Sequence, residues 1–240
     1  MNNLKSLLLL LIFLSVGAVE LHAHALWIET ASTAKKGHAQ SVKVFYGEYA
    51  TKELEEIGKW YSDVKDFTLW LTVPGKEKVK LSTVAGTNFY SASFTPDEDG
   101  IYLLTVSHEA KDLGGTTKYE FSSVAAVAVG KSNAVDHASI PNSINVAANE
   151  AKNYKVNSPV QLKAVLNGQP VANKPVSIFS PEGWSKEFTT DDNGSISFTP
   201  QWPGRYVLEL SNFEKVNGEH NGQSYTAAWQ GATSSFEVVK

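Results

Sequence analysis

The pattern that most constrains this chain is one that occurs twice. Phe94-Thr95-Pro96, followed by Gly100, Ile101 and Tyr102, returns 104 residues later as Phe198-Thr199-Pro200, followed by Gly204, Arg205 and Tyr206. An offset of about 100 residues is the length of an immunoglobulin-like sandwich. The repeat therefore implies two domains of one kind. In each copy the glycine falls in a turn and the tyrosine on the strand after it, where a buried ring with its hydroxyl at the corner can pin two sheets together. The repeat is structural and carries no chemistry of its own.

The rest of the chain has the same grammar. Short alternating runs are broken by Gly, Pro, Asn and Asp, the signature of an antiparallel all-β protein. In the first half the clearest strands are Val42–Tyr46, Phe67–Val73, Phe89–Phe94, Ile101–Val106 and Val124–Gly130. In the second, Val160–Leu166 runs into Asn167-Gly168, Val176–Phe179 follows, and Asp192-Asn193-Gly194 precedes Ser195–Phe198. Asn-Gly tolerates the positive φ angles that tight hairpins demand. One helix is expected between Thr51 and Asp66, where Leu54, Ile57, Tyr61 and Val64 recur at helical spacing. On it Glu53, Glu55 and Glu56 read as a solvated face. A polar stretch from Lys131 to Pro141 marks the boundary between a first sandwich, residues 24–131, and a second, residues 142–240.

Ahead of the first strand, Lys5 and the apolar run Leu7–Val19 lead to small residues at Ala23 and Ala25, the pattern of a secretory signal. The run is shorter than the roughly 20 apolar residues that cross a bilayer. Cleavage after Ala23, which defines residues 1–23 as signal peptide, exposes His24 as the first residue; cleavage after Ala25 removes it. The expected location is the periplasm or the exterior, with no direct insertion in the membrane. The formal charge is −4 and the one arginine is Arg205, which argues against nucleic acid as a partner.

The sequence has no cysteine, so a disulfide framework and a thiolate metal site are both excluded. A transition-metal site must use histidine, carboxylates and the terminal amine. A terminal His24 offers an amine and an imidazole nitrogen to one ion. Beyond it stand His38, His108, His137 and His220, which form no local H-x-H or H-E-x-x-H pair. The fold would have to complete the shell, and His108 or Glu48 are the expected further ligands beside His24. There is no G-x-S-x-G elbow and no phosphate-cradling glycine loop. The expectation is a protein that is not an enzyme.

His24-Ala25-Leu26-Trp27-Ile28-Glu29 resembles the H-x-x-W-[LI]-x opening of a bacterial periplasmic family labelled NikM-like or CbiK-like. Val44-Phe45-Tyr46-Gly47-Glu48, Val165 to Val171, Thr190 to Gly194 and the tail from Asn221 to Thr233 fit the same family, in the same order. The sequence departs from its pattern at Glu48 and at Gln230, where histidines are common. The resemblance implies a mature chain starting at His24 and a link with nickel and cobalt import. It points to a periplasmic accessory protein that binds a divalent metal, nickel or cobalt with copper as a further candidate. Its partners would be that ion and a membrane ABC transporter or outer-membrane receptor. The alternative is a tandem sandwich that binds a protein or glycan without metal, for which Trp184 and Trp202 are the candidate contact residues. A copper monooxygenase built on His24, His108 and Tyr46 is the least supported of the three readings.

Overall fold

The structure, a computed structural model, describes residues 24–73, 75–131 and 133–240. The expected signal peptide lies outside the described residues. The principal strands are β1 (Ala25–Glu29), β2 (Gln40–Glu48), β3 (Glu53–Leu54), β4 (Phe89–Phe94), β5 (Gly100–Glu109), β6 (Thr117–Val129) and β7 (Ile144–Ala148). They continue as β8 (Val160–Leu166), β9 (Pro175–Phe179), β10 (Ser185–Thr189), β11 (Ser195–Phe198), β12 (Gly204–Glu214) and β13 (Ala227–Val239). The protein is all-β, as the alternation implies, and its sheets pack face to face as sandwiches.

One sheet is built on β1, β2 and β4, with β3 folded onto β2. A larger sheet runs in the order β10, β9, β12, β13, β6, β5 and continues through Trp70–Thr72. A third sheet joins β7, β8 and β11. The larger sheet is common to both halves of the chain. β13 pairs antiparallel with β12 from Gly204↔Val238 to Glu214↔Ala228, and its other edge pairs parallel with β6 from Thr117↔Ala227 to Val124↔Ser234.

Each half has its own apolar core. Leu26, Ile28, Val42, Val44, Tyr102, Leu104 and Val127 fill the first, and Ile144, Val160, Leu162, Ile178, Leu208 and Phe236 the second. A smaller cluster of Trp27, Phe45, Phe179 and Val207 bridges them. On β1 and β2, alternate residues therefore face different cores: Leu26, Ile28, Val44 and Tyr46 point into the first half, Trp27 and Phe45 toward the second.

The repeated motif makes the same corner twice. The Tyr102 hydroxyl donates to the Glu98 carbonyl and accepts from its N–H, both at 3.1 Å, and Tyr206 does the same with Trp202 at 3.2 Å. Gly100 and Gly204 take φ angles of 142° and 126°, where a side chain is strained. At Gly204 a Cβ would also lie 2.8 Å from Pro181. The expected hairpin turn is present as well: Asp191 accepts from the N–H groups of Asn193 at 2.9 Å and Ser195 at 2.8 Å.

The expected helix over Thr51–Asp66 is replaced by β3 and two single 3-10 turns, Ile57–Lys59 and Val64–Asp66. Lys52 and Ser62 have φ of 60° and 50°, which interrupts any helix through them. The apolar spacing serves a different purpose. Trp60 and Val64 are buried, and the Trp60 ring packs on Tyr46, Phe67 and Tyr90.

Candidate metal centre

His24 stands one residue before β1, whose register on β2 runs from Ala25↔Gly47 to Glu29↔Lys43. Its imidazole stacks on the Tyr46 ring at 5.5 Å and 24°. Burial, with Tyr61 and then Glu55 adding to it, holds the Tyr46 phenol protonated far above its usual range. Tyr46 is thus a neutral platform for the imidazole.

The carboxylates come from the chain that turns back after β2. Lys52 N–H donates to the Tyr49 carbonyl at 3.1 Å, closing the turn, and β3 pairs with β2 through Gly47↔Leu54 and Glu48↔Glu53. Gly47 makes this approach possible. Its φ is 152°, and a Cβ there would lie 2.2 Å from the Glu53 carbonyl oxygen. Beyond β3, Glu55 is tied on both sides: its N–H donates to the Tyr46 carbonyl at 3.0 Å, and its carbonyl accepts from Trp60 Nε1 at 3.0 Å. Glu53 and Glu55 are two residues apart in extended chain, so both carboxylates turn to one side.

They meet His24 there. His24 Nε2 lies 3.2 Å from Glu55 Oε1, and the donor atoms of His24, Glu53 and Glu55 all fall within 4.8 Å of one another. The His24 side chain is 39% exposed, so solvent reaches the group. One imidazole nitrogen and two carboxylate oxygens, with no thiolate, suit a divalent first-row transition metal.

The other two residues expected as ligands lie elsewhere. His108 Nε2 is 3.0 Å from Asp63 Oδ1, which also accepts from Lys111 N–H at 2.8 Å. Loss of water around Asp63 would raise its pKa, but those two hydrogen bonds and the nearby imidazole outweigh it and hold the carboxyl below its usual range. Glu48 is buried at the end of β2, and its charge acts on Glu209 of β12, whose carboxyl is pushed up to about 7, first by burial and then by Glu48. His137 bonds Asn149, and His220 bonds the Ala110 carbonyl. The sequence names His24 as a candidate ligand, whereas a helical reading of Glu53 and Glu55 sends both to solvent; the structure brings the three side chains together. The available signal was Gly47 followed by an E-x-E spacing.

β1 is held from beneath by β6 and β13 of the larger sheet. Thr233 Oγ1 donates to the Leu26 carbonyl at 2.6 Å, Ser235 Oγ to the Ile28 carbonyl at 2.9 Å, and Ile28 N–H donates to Ser123 Oγ at 3.1 Å. Arg205 adds ion pairs to Glu29 at 3.6 Å and Glu237 at 3.1 Å.

The model of the family described as "Domain of unknown function (DUF4198)" matches residues 21–213. No curated protein matches the chain in sequence. Among solved structures, Salmonella alpha-2-macroglobulin reacted with methylamine is similar at 12% identity over 89% of this chain, with a TM-score of 0.28. A single-site mutant of the same protein gives 11%, 91% and 0.29. In both cases the match spans 15% of the macroglobulin chain.

Proposed function

The chain belongs to the family described as domain of unknown function DUF4198, and we propose that it binds a divalent transition metal through His24, Glu53 and Glu55. The observation that carries this reading is the convergence of three donors from two separate segments on one point, at a position prepared by Gly47 and Tyr46. The donor set is borderline to hard, which fits nickel, cobalt or copper and disfavours copper in its reduced form. Three protein ligands in an exposed position leave coordination sites open, unlike the closed four-ligand shell of a structural metal. An open shell is what a protein that hands its ion onward requires. In this reading the protein works outside the cytoplasmic membrane, as an accessory of a nickel or cobalt uptake system.

The test is calorimetric titration of the exported chain with nickel, cobalt and copper(II), after its intact mass has fixed the first residue. The expected order of affinity is copper over nickel over cobalt. His24→Ala and Glu55→Gln are each expected to lower nickel affinity about tenfold or more, as loss of a metal ligand should, while His108→Ala leaves it unchanged. Failure to bind all three ions, or binding indifferent to His24→Ala, overturns the reading.

A further inference from the structure

The second half carries an aromatic recess at the margin of its core, where Phe198 and Phe188 of that core meet the rings of Trp184 and Trp202, apart from the metal centre. It lies at the open margin of the second sandwich, where β10 is the last strand of the larger sheet and β11 flanks the facing one. Alternation along β10 turns Lys186 and Phe188 to the same side as Trp184, and the loop after β11 adds Gln201 and Trp202. Together with Phe198 these residues enclose a cavity of about 240 Å³.

The backbone that carries each indole is held by hydrogen bonds. Trp184 sits in a tight turn in which its N–H donates to Ser180 Oγ at 3.0 Å and its carbonyl accepts from Ser180 N–H at 2.7 Å. Trp202 is held by the tyrosine corner through its own N–H and carbonyl. That corner requires only the backbone of the residue. In the first copy of the motif the same position is Glu98, whose side chain pairs with Lys76 at 2.6 Å. The fold therefore does not call for tryptophan at 202. Nor does it call for one at 184, which is 37% exposed. The two rings stand 6.2 Å apart at 56°, and Trp184 lies nearly parallel to Phe198.

Aromatic faces combined with polar groups at the rim match a pyranose ring, whose apolar C–H face stacks while its hydroxyls take hydrogen bonds. The recess also has a sign. The Lys186 ammonium rests 5.0 Å from the centre of the Phe188 ring and has no carboxylate within 4 Å among the described residues. A cation held at the cavity without a counter-charge is complementary to an anionic ligand. A proline-rich segment also docks on aromatics, but it needs a groove that takes successive residues of an extended helix. This recess is one compartment with an ammonium on its wall.

We infer that the seam between β10 and β11 binds a carboxylated hexopyranose unit of an acidic polysaccharide, with Trp184 and Trp202 stacking on the ring and Lys186 pairing with its carboxylate. The site is distinct from the metal centre and stands or falls apart from it.

The experiment is calorimetric titration of the full chain with trigalacturonate, with maltotriose as the neutral sugar and a proline-rich decapeptide as the rival ligand. Trigalacturonate is expected to bind more tightly than maltotriose. Trp184→Ala should lower affinity for trigalacturonate about tenfold, the scale of losing one aromatic anchor. Lys186→Gln should lower it severalfold and remove the preference over maltotriose. Both side chains are exposed enough that the variants should melt with the native protein, and thermal melts check this. No binding of either sugar overturns the inference, as does binding that neither substitution alters. A Trp184-dependent interaction with the decapeptide alone overturns it in favour of a peptide site.

Discussion

Thr233 Oγ1 lies 2.6 Å from the carbonyl oxygen of Leu26, so a side chain near the end of the protein holds the strand that begins beside His24. The same hydroxyl is 3.0 Å from Ser123 Oγ, and Leu26, Ser123 and Thr233 are all buried. Thr233→Val keeps the shape and removes the hydroxyl, so the buried Leu26 carbonyl loses this donor while Ser123 Oγ keeps the Ile28 N–H. The expected cost is about 1–3 kcal/mol. At about 2–4 °C per kcal/mol for a chain of this size, thermal melting should fall by several degrees, and Thr233→Ser should restore most of it. An unchanged melting temperature would show that the clamp on β1 contributes nothing.

Gly47→Ala should separate the candidate metal centre from the rest of the fold. The new Cβ would collide with the Glu53 carbonyl at 2.2 Å, and φ of 152° is itself unfavourable for alanine. The backbone that must shift is β3, whose residues Glu53 and Leu54 are exposed, so the damage stays local. Nickel affinity should fall about tenfold or more while melting drops by only about 1–3 kcal/mol equivalent. Gly37→Ala is the control, since it also has positive φ but meets nothing within 4 Å. Equal nickel affinity in the two variants would mean that β3 does not position the ligands.

The paired tyrosine corners test how the halves are joined. Tyr102→Phe and Tyr206→Phe each remove one hydroxyl that makes both a donated and an accepted bond to the backbone four residues earlier. Each should cost about 0.5–1.5 kcal/mol or somewhat more. Because β13 is hydrogen-bonded to β6 on one edge and β12 on the other, calorimetry should give a single unfolding transition that either substitution moves. Two transitions, each sensitive to one tyrosine, would show that the shared sheet does not couple the cores.

What could be read from the sequence follows from how local each signal is. Phe89–Phe94, Val160–Leu166 and Ser195–Phe198 are strands at the expected residues, because alternation and turn residues act within a few positions. The repeat likewise gave the tyrosine corners, whose contacts span four residues. The parallel pairing of Thr117 with Ala227 is different, since it joins residues 110 apart and leaves no periodic trace. Between Thr51 and Asp66 the helical spacing was present but answered to aromatic packing around Trp60, and tertiary contacts overrode it. Glu53 and Glu55 went unseen for that reason. His24 was legible as a candidate ligand from its position alone, whereas its carboxylate neighbours depended on a turn that Lys52 closes in the left-handed region.

Glu209 gives the protein a pH dependence opposite to that of most carboxylates. Burial, and then the charge of Glu48, raise its pKa from 4.5 to about 7 in the folded chain. The folded state therefore favours the protonated form, and the unfolded state binds fewer protons between those two values. The contribution to stability is complete below about pH 4.5, declines as pH rises, and is gone above about pH 7. A shift of this size corresponds to roughly 3 kcal/mol, at 1.36 kcal/mol per pKa unit. Asp63 and Asp97, whose pKa values are lowered, act in the other direction at acid pH, so the total profile mixes both signs. Glu209→Gln isolates the term, because the amide is neutral at every pH and close in shape. Urea unfolding from pH 5 to pH 8 should show the variant gaining stability over the native chain as pH rises, with the difference levelling off above about pH 7. A difference that stays constant across this range would mean that Glu209 ionises as freely in the folded protein as in the unfolded chain, and that Glu48 exerts no pressure on it.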